Sequence, residues 1–331
     1  MPSVAWLVVL LIVALSFSFL SGINDAGNMM ASMLSARAMR PLSGLILVVV
    51  MELLGPLVFG TAVAATIGRG LIVRAAIPPS VIICAATAAT VWTLATSYLS
   101  LPSSMSHALL GGLLGSVLVD FSPAYVKWDG FVRVLILLFV TPPAGFLVGH
   151  GVVRLLHLIA RRATPRINLA FRRVQVVTSA VMIMAHAAND AQKTMGLLAM
   201  GILALGYTAH FTVPLWSIVA SAVSLSLGMA IGGWRIARKI GFSIVRLRPM
   251  SALAAQLATM GVVLTGVQIG APLGTTQILT SSILGAGTAR SLSRARWGIV
   301  RQVLVAWIIT LPSAALLAAL LALLIRPLGP G

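Results

Sequence analysis

Eight stretches of this chain are each long and apolar enough to cross a bilayer, near residues 4–35, 42–67, 77–98, 131–158, 174–206, 212–232, 250–269 and 298–325. A spanning helix needs about 20 predominantly apolar residues. The 331 residues include 23 Lys and Arg and 5 Asp and Glu, a charged share of 8%, against about 25% in soluble domains. Too few ions remain to clothe a water-exposed surface, which excludes an ordinary cytosolic enzyme. An apolar content of 59% excludes disorder, and the Glu and Lys that flank a coiled-coil seam are missing. The chain reads as an all-α polytopic membrane protein.

A formal charge of +18 does not indicate a nucleic-acid partner, because the basic residues sit in short clusters between apolar runs rather than in a patch that tracks phosphates. They read as orienting loop charges. With the N-terminus outside, 17 of the 23 Lys and Arg fall on inside loops and their edges, among them Arg37, Arg40, Arg161, Arg162, Arg172, Arg173, Arg290, Arg294 and Arg296. Arg69, Arg74, Lys127, Arg133 and Arg326 fall outside, and Lys193 is within the membrane. This bias predicts a cytoplasmic-membrane protein with both termini outside. The first 20 residues lack a basic start and run into a polar motif, so no removable signal peptide is expected. The single cysteine, Cys84, reads as a small buried hydrophobe.

Two shorter apolar segments, 102–119 and 272–288, follow Pro102 and Pro272 and are crowded with Ser, Thr and Gly. The first and fifth long runs each contain an Asn-Asp pair, which predicts interrupted helices of the kind that carry transport sites. Asn24-Asp25 recurs as Asn189-Asp190 at an offset of 165, and Pro102 as Pro272 at an offset of 170. One crossing for each short segment gives ten in all, five per half. An odd number makes the second half the inverted copy of the first, with a shared site near the midplane. The predicted units are 1–159, a basic cytoplasmic linker 160–173, and 174–331. Whether 102–119 and 272–288 cross fully or return as hairpins stays open; taken alone as hairpins, they would misplace a basic cluster unless another crossing is hidden nearby.

Of the five acids, Asp25, Asp190 and Glu52 fall inside spans. A charge at the centre of a membrane helix costs roughly 2.5 to 3.5 kcal/mol on the insertion scale, which makes function the default reading; capping or bridging of helices is the structural alternative. Asn24 and Asn28 surround Asp25, and His186, Asn189 and Lys193 surround Asp190. Carboxylates with amide oxygens suit a proton or a hard cation, so Asp25 and Asp190 are also candidate metal ligands, while free N–H groups at a helix start suit an anion. Pro102 leads into Ser103, Ser104 and Ser106, and Pro272 into Thr275 and Thr276, the pattern of two half-helix starts rich in donors. His107 and His186 are either proton relays or partners of helix ends. Lys193, three residues after Asp190, predicts an ion pair, with direct anion contact as the alternative. Two ionised aspartates would repel an oxyanion by about 4 kcal/mol per unit-charge pair at 4 Å and an effective dielectric of 20. Anion binding therefore requires a proton or metal cation on them, which is symport.

These motifs resemble the inorganic phosphate transporter (Pit) family over nearly the whole chain. Gly22 to Asn28 (GINDAGN) resembles the signature GANDVAN, Ala185 to Gly196 (AHAANDAQKTMG) resembles the bacterial form HGSNDGQKxMG, and MAIGGWRIARKIG at 229–241 resembles the stretch that follows. The resemblance implies that Asn24, Asp25, Asn189 and Asp190 line an ion and phosphate pocket, with Ser104, Ser106, Thr275 and Thr276 as phosphate donors. Met105, Gly274 and Gln277 depart from the family's Thr, Ser and His, which makes sulfate the rival substrate. The coupling cation implied is a proton or sodium, with the NDAQK motif favouring protons, and phosphate travels alone or with a divalent metal. No enzyme cofactor is implied, and no GxxxxGK[ST] nucleotide loop is present. A homodimer and a soluble accessory protein are compatible with the sequence, which specifies neither. The competing classes are an intramembrane enzyme using Asp25 and Asp190 as acid and base, which does not require the duplicated hydroxyl segments, and a channel, which predicts conduction without saturation or coupling.

Overall fold

A computed structural model describes residues 4–35, 37–73, 77–99, 103–162, 164, 166–239, 248–289 and 297–325. Pro102, Arg74, Arg246, Arg290, Arg294, Arg296 and Arg326 lie outside the described residues. The helices are α1 (Val4–Ser35), α2 (Pro41–Val58), α3 (Ala62–Ala65), α4 (Pro79–Tyr98), α5 (Met105–Asp120), α6 (Trp128–Ile159), α7 (Ile167–Ala204), α8 (Leu215–Lys239), α9 (Pro249–Gln268), α10 (Thr275–Thr288) and α11 (Trp297–Ile325). A π-helical turn, Thr66–Gly70, extends α3. Eight of the helices are long and apolar enough to span a bilayer; the chain is an all-helical, multi-pass membrane protein.

Local sequence explains the helix ends. Proline opens α2, α4 and α9, at a position whose N–H has no partner in any helix. The Ser104 hydroxyl accepts the His107 amide at 3.4 Å and starts α5. At the end of α9, Gly270 takes φ +72°, and the Ala271 and Gly270 amides donate back to the Gly266 and Val267 carbonyls. That left-handed stop turns the chain sharply towards α10.

Contacts between the helices fix their directions. Leu10 of α1 meets Gly201 of α7, and Ser21 meets Asp190, so these two run antiparallel. Gly22 and Gly232 place α8 beside α1 in the same direction. α4 and α5 form a tight hairpin, with Gly112 against Ala85 near the open end and Thr96 bonded to Ser103 at 2.6 Å near the tip. An antiparallel bridge joins Ile72, before the hairpin, to Val126, after it. The hairpin therefore enters and leaves at one end of the molecule. α9 and α10 form the second hairpin, whose open end packs Ala254, Ala255 and Ala286 against Val153, near the end of α6. Its open end lies at the opposite end of the molecule, where α7 begins: Gln175 donates to the Pro249 carbonyl.

Three expectations change. Each half contains three passages from end to end and one hairpin, instead of five crossings: α1, α2 with α3, the α4–α5 hairpin and α6, then α7, α8, the α9–α10 hairpin and α11. The runs 77–98 and 102–119 are two limbs of one hairpin, so the basic residues keep the same division between the ends. The Asn-Asp pairs do not interrupt their helices; α1 and α7 are continuous through them. Gly22, two residues before the first pair, serves packing: a Cβ there would lie 2.2 Å from the Leu225 carbonyl oxygen of α8. The interruptions fall before α5 and α10, and before α10 Gly270 and Pro272 follow the end of α9. Finally, residues 167–173 of the basic stretch are the first turns of α7 rather than linker.

Candidate functional site

Both hairpin tips end beside the two aspartates. The Ser106 hydroxyl of the first tip donates to the Leu273 carbonyl of the second at 2.6 Å, and the Asn189 amide of α7 holds the second tip by donating to the Ala271 carbonyl at 2.9 Å. Around this junction a small cavity is lined by Asp25, Asp190, Lys193, Ser104, Ser106 and Thr275, with Ser103, Met105, Gly274 and Thr276 completing the wall. Hydroxyls from two helix starts and two carboxylates from long helices thus converge on one small space.

Each carboxylate has its own set of partners. Asp25 accepts from the Thr276 hydroxyl at one oxygen and from the Ser21 hydroxyl at the other, at 3.4 Å. Asp190 accepts at one oxygen from the Lys193 ammonium at 2.7 Å and from Thr275 at 3.4 Å, and at the other from Ser21 at 3.2 Å. Ser21 therefore stands between the two acids, one turn before Asp25 on α1. It has a single proton to divide between them. The residue is buried with both, and nothing beyond the four-residue spacing from Asp25 signals it in the sequence.

Behind Asp25, away from the cavity, lies a second group of polar side chains. His186 Nε2 is 4.0 Å from Asp25 and 3.6 Å from Glu52, while its Nδ1 is 2.8 Å from the Thr275 hydroxyl. Among the described residues, neither Glu52 oxygen nor His186 Nε2 has a hydrogen-bond partner. One ligand atom each from Asp25, His186 and Asp190 lies within 4.8 Å of the others, a spacing open to a cation. The donor set of carboxylates and an imidazole fits a proton or a small metal cation.

Other candidates sit farther out. Asn24 accepts from the exposed Ser97 hydroxyl at 3.2 Å at the end of α4, and Asn28 is half-buried one turn farther along α1; neither lines the cavity. His107 faces Gln277 at 3.4 Å and the edge of Phe139, so it braces the two tips. Gln277 and Met105 thus occupy the seam between the tips, where Thr93 also donates to the Met105 sulfur at 2.8 Å. Sequence reasoning gave Gln192 no structural role: its amide oxygen accepts the Val63 and Ala64 amides at 2.7 and 3.3 Å, closing the start of α3. No local pattern announces a cap supplied from 128 residues away.

Two long helices carrying buried acids and two hairpins whose tips meet at a small polar cavity are the architecture of a membrane transporter rather than an enzyme. The family model described as "Phosphate transporter family" matches residues 21–168 and 157–318, and the chain belongs to that family. A "Probable low-affinity inorganic phosphate transporter" of Rhizobium meliloti (strain 1021) is 36% identical over 316 residues, 95% of each chain. A protein of the same description from Bacillus subtilis (strain 168) is 33% identical over 317 residues, again 95% of each. A solved structure titled "The sodium-dependent phosphate transporter" superposes with a TM-score of 0.90 at 20% identity, covering 98% of this chain and all of that one; at that identity it speaks for the fold.

Proposed function

We propose that the protein is a secondary symporter that imports inorganic phosphate across the cytoplasmic membrane, alone or as a metal complex, driven by protons or sodium. The observation that carries this reading is one cavity lined by Ser104, Ser106, Thr275 and Thr276 from both tips together with Asp25 and Asp190. Hydroxyl donors suit the oxyanion; the acids repel it until a cation arrives, and this conditional attraction couples the two fluxes. Asp25, with His186 and Glu52 behind it, is the natural place for that cation. The two halves, 1–159 and 174–331, are read as inverted repeats, since three passages per half is an odd number and the second half starts at the opposite end. Alternating access then exposes the hairpin tips to each side in turn. The basic end, with Arg37, Arg40, Arg161 and Arg162, faces the cytoplasm, and both termini face outward.

Sulfate is a second reading, favoured by Met105 and Gly274, which remove side-chain hydroxyls from the cavity wall. Uptake of radiolabelled phosphate and sulfate into proteoliposomes, under proton and sodium gradients imposed separately, decides both questions. The expected result is phosphate accumulation that follows one gradient and resists excess sulfate. Accumulation that ignores both gradients rejects symport, and sulfate uptake that outruns phosphate reverses the substrate.

A further inference from the structure

Asp25 and Asp190 occupy matching places in the two halves, but their surroundings differ. Each acid accepts a hydroxyl at both oxygens, Asp25 from Thr276 and Ser21 and Asp190 from Thr275 at 3.4 Å and Ser21 at 3.2 Å, but Asp190 also accepts from an ammonium, Lys193 at 2.7 Å. Asp25 instead borders His186 Nε2, which has no hydrogen-bond partner among the described residues, and beyond it the unpartnered carboxylate of Glu52. The asymmetry is already written in the motifs. Three residues after Asp190 stands Lys193; three residues after Asp25 stands Asn28.

Lys193 is fully buried, with its side chain 2% exposed. An ammonium carries three N–H donors. One is bonded to Asp190, and that is the single hydrogen bond from Lys193 Nζ among the described residues. Lys193 also forms part of the cavity wall, alongside Ser104, Ser106 and Thr275. A buried ammonium with spare donors beside a space lined by hydroxyls is suited to receive an anion, because a charge-assisted bond to oxygen is roughly twice as strong as a neutral one.

We propose that the two aspartates have different tasks: Asp190 anchors Lys193, the Lys193 ammonium is the fixed positive charge that meets the incoming phosphate, and Asp25 serves the mobile cation. This rests on the phosphate reading above. In this scheme Asp190 is a positioning residue. It pairs with the ammonium at 2.7 Å and aims it, and an unpartnered charge of either sign at that depth is strongly unfavourable. The mobile cation then has one aspartate to neutralise, not two.

Phosphate counterflow in proteoliposomes needs no gradient and so reads binding and translocation, while gradient-driven uptake reads coupling. Lys193→Met should raise the half-saturating phosphate concentration in counterflow at least tenfold, or about 1.4 kcal/mol. Lys193→Arg should recover most of that loss. Residual uptake should keep the wild-type dependence on the cation gradient. The double variant Lys193→Met/Asp190→Asn should bind no more weakly than Lys193→Met alone, and because it buries no lone charge it supplies the measurement if the single variant is lost from the membrane. An unchanged half-saturating concentration in either variant, a further loss in the double variant, or an altered cation dependence with phosphate binding intact overturns the assignment. Wild-type vesicles without phosphate counterflow overturn the phosphate reading itself, a failure visible before any variant is made.

Discussion

Single side chains decide how tightly cation and anion depend on each other. Asp25 is 2% exposed and touches the second hairpin through Thr276. Replacing it with Asn keeps the shape and removes the cavity carboxylate that no ammonium already pairs with. Asp25→Asn is expected to abolish gradient-driven accumulation, measured as uptake into energised proteoliposomes; accumulation at the wild-type level would remove Asp25 from coupling. The hydroxyls act on the other partner. Ser106 and Thr275 each line the cavity and also bond across it, to Leu273 and Asp190. A hydrogen bond of this type contributes about 1 kcal/mol net, so Ser106→Ala with Thr275→Ala should raise the half-saturating phosphate concentration about tenfold or more. Identical saturation curves for variant and wild type would exclude both hydroxyls. The aspartates, Glu52 and the Ser and Thr starts were legible in the sequence because a polar group inside an apolar run stands out by its cost. The roles of Ser21 and Gln192 and the peripheral position of Asn24 were not, since each depends on which face of a helix meets a partner more than 70 residues away.

At the scale of elements, the apolar runs gave the helices and the prolines gave their starts, but the breaks were assigned to the wrong places. The Asn-Asp pair suggested a break in α1, which is in fact continuous, and the missing side chain of Gly22 beside the pair admits the α8 backbone. Glycine does turn the chain at Gly270, whose φ of +72° costs an ordinary residue roughly 1–2 kcal/mol. There is little room as well: a Cβ would stand 2.9 Å from the Ala62 carbonyl oxygen and from the Thr66 hydroxyl. The second tip is thus pinned between the α3 segment and Asn189. Gly270→Ala is expected to lower the thermal midpoint of the purified protein and to weaken phosphate binding with it, because the tip carries Thr275 and Thr276. A variant with an unshifted midpoint would show that the turn tolerates a side chain.

For the whole molecule, the offsets of 165 and 170 residues set two pairs of like motifs in like order along the chain. What they did not contain was the number of crossings, because a hairpin and two crossings return the chain to the same side and give the same charge balance. Impermeant thiol labelling separates the two arrangements. Cys84 is 1% exposed and can be replaced by Ala to leave a chain without cysteine. Ser122, after the first hairpin, and Thr164, between the halves, are both exposed and belong to opposite ends. Ser103 is at the tip, 4% exposed and bonded to Thr96. If 77–98 and 102–119 each crossed, position 103 would lie near the membrane face that carries Thr164, and cysteines at the two positions would react at similar rates. With a hairpin, Ser122→Cys should react from one side of the membrane only and Thr164→Cys from the other. Ser103→Cys should resist both reagents when phosphate is present, because the tip is then closed around its ligand. Fast labelling of Ser103→Cys from the Thr164 side in saturating phosphate would refute the hairpin and restore ten crossings.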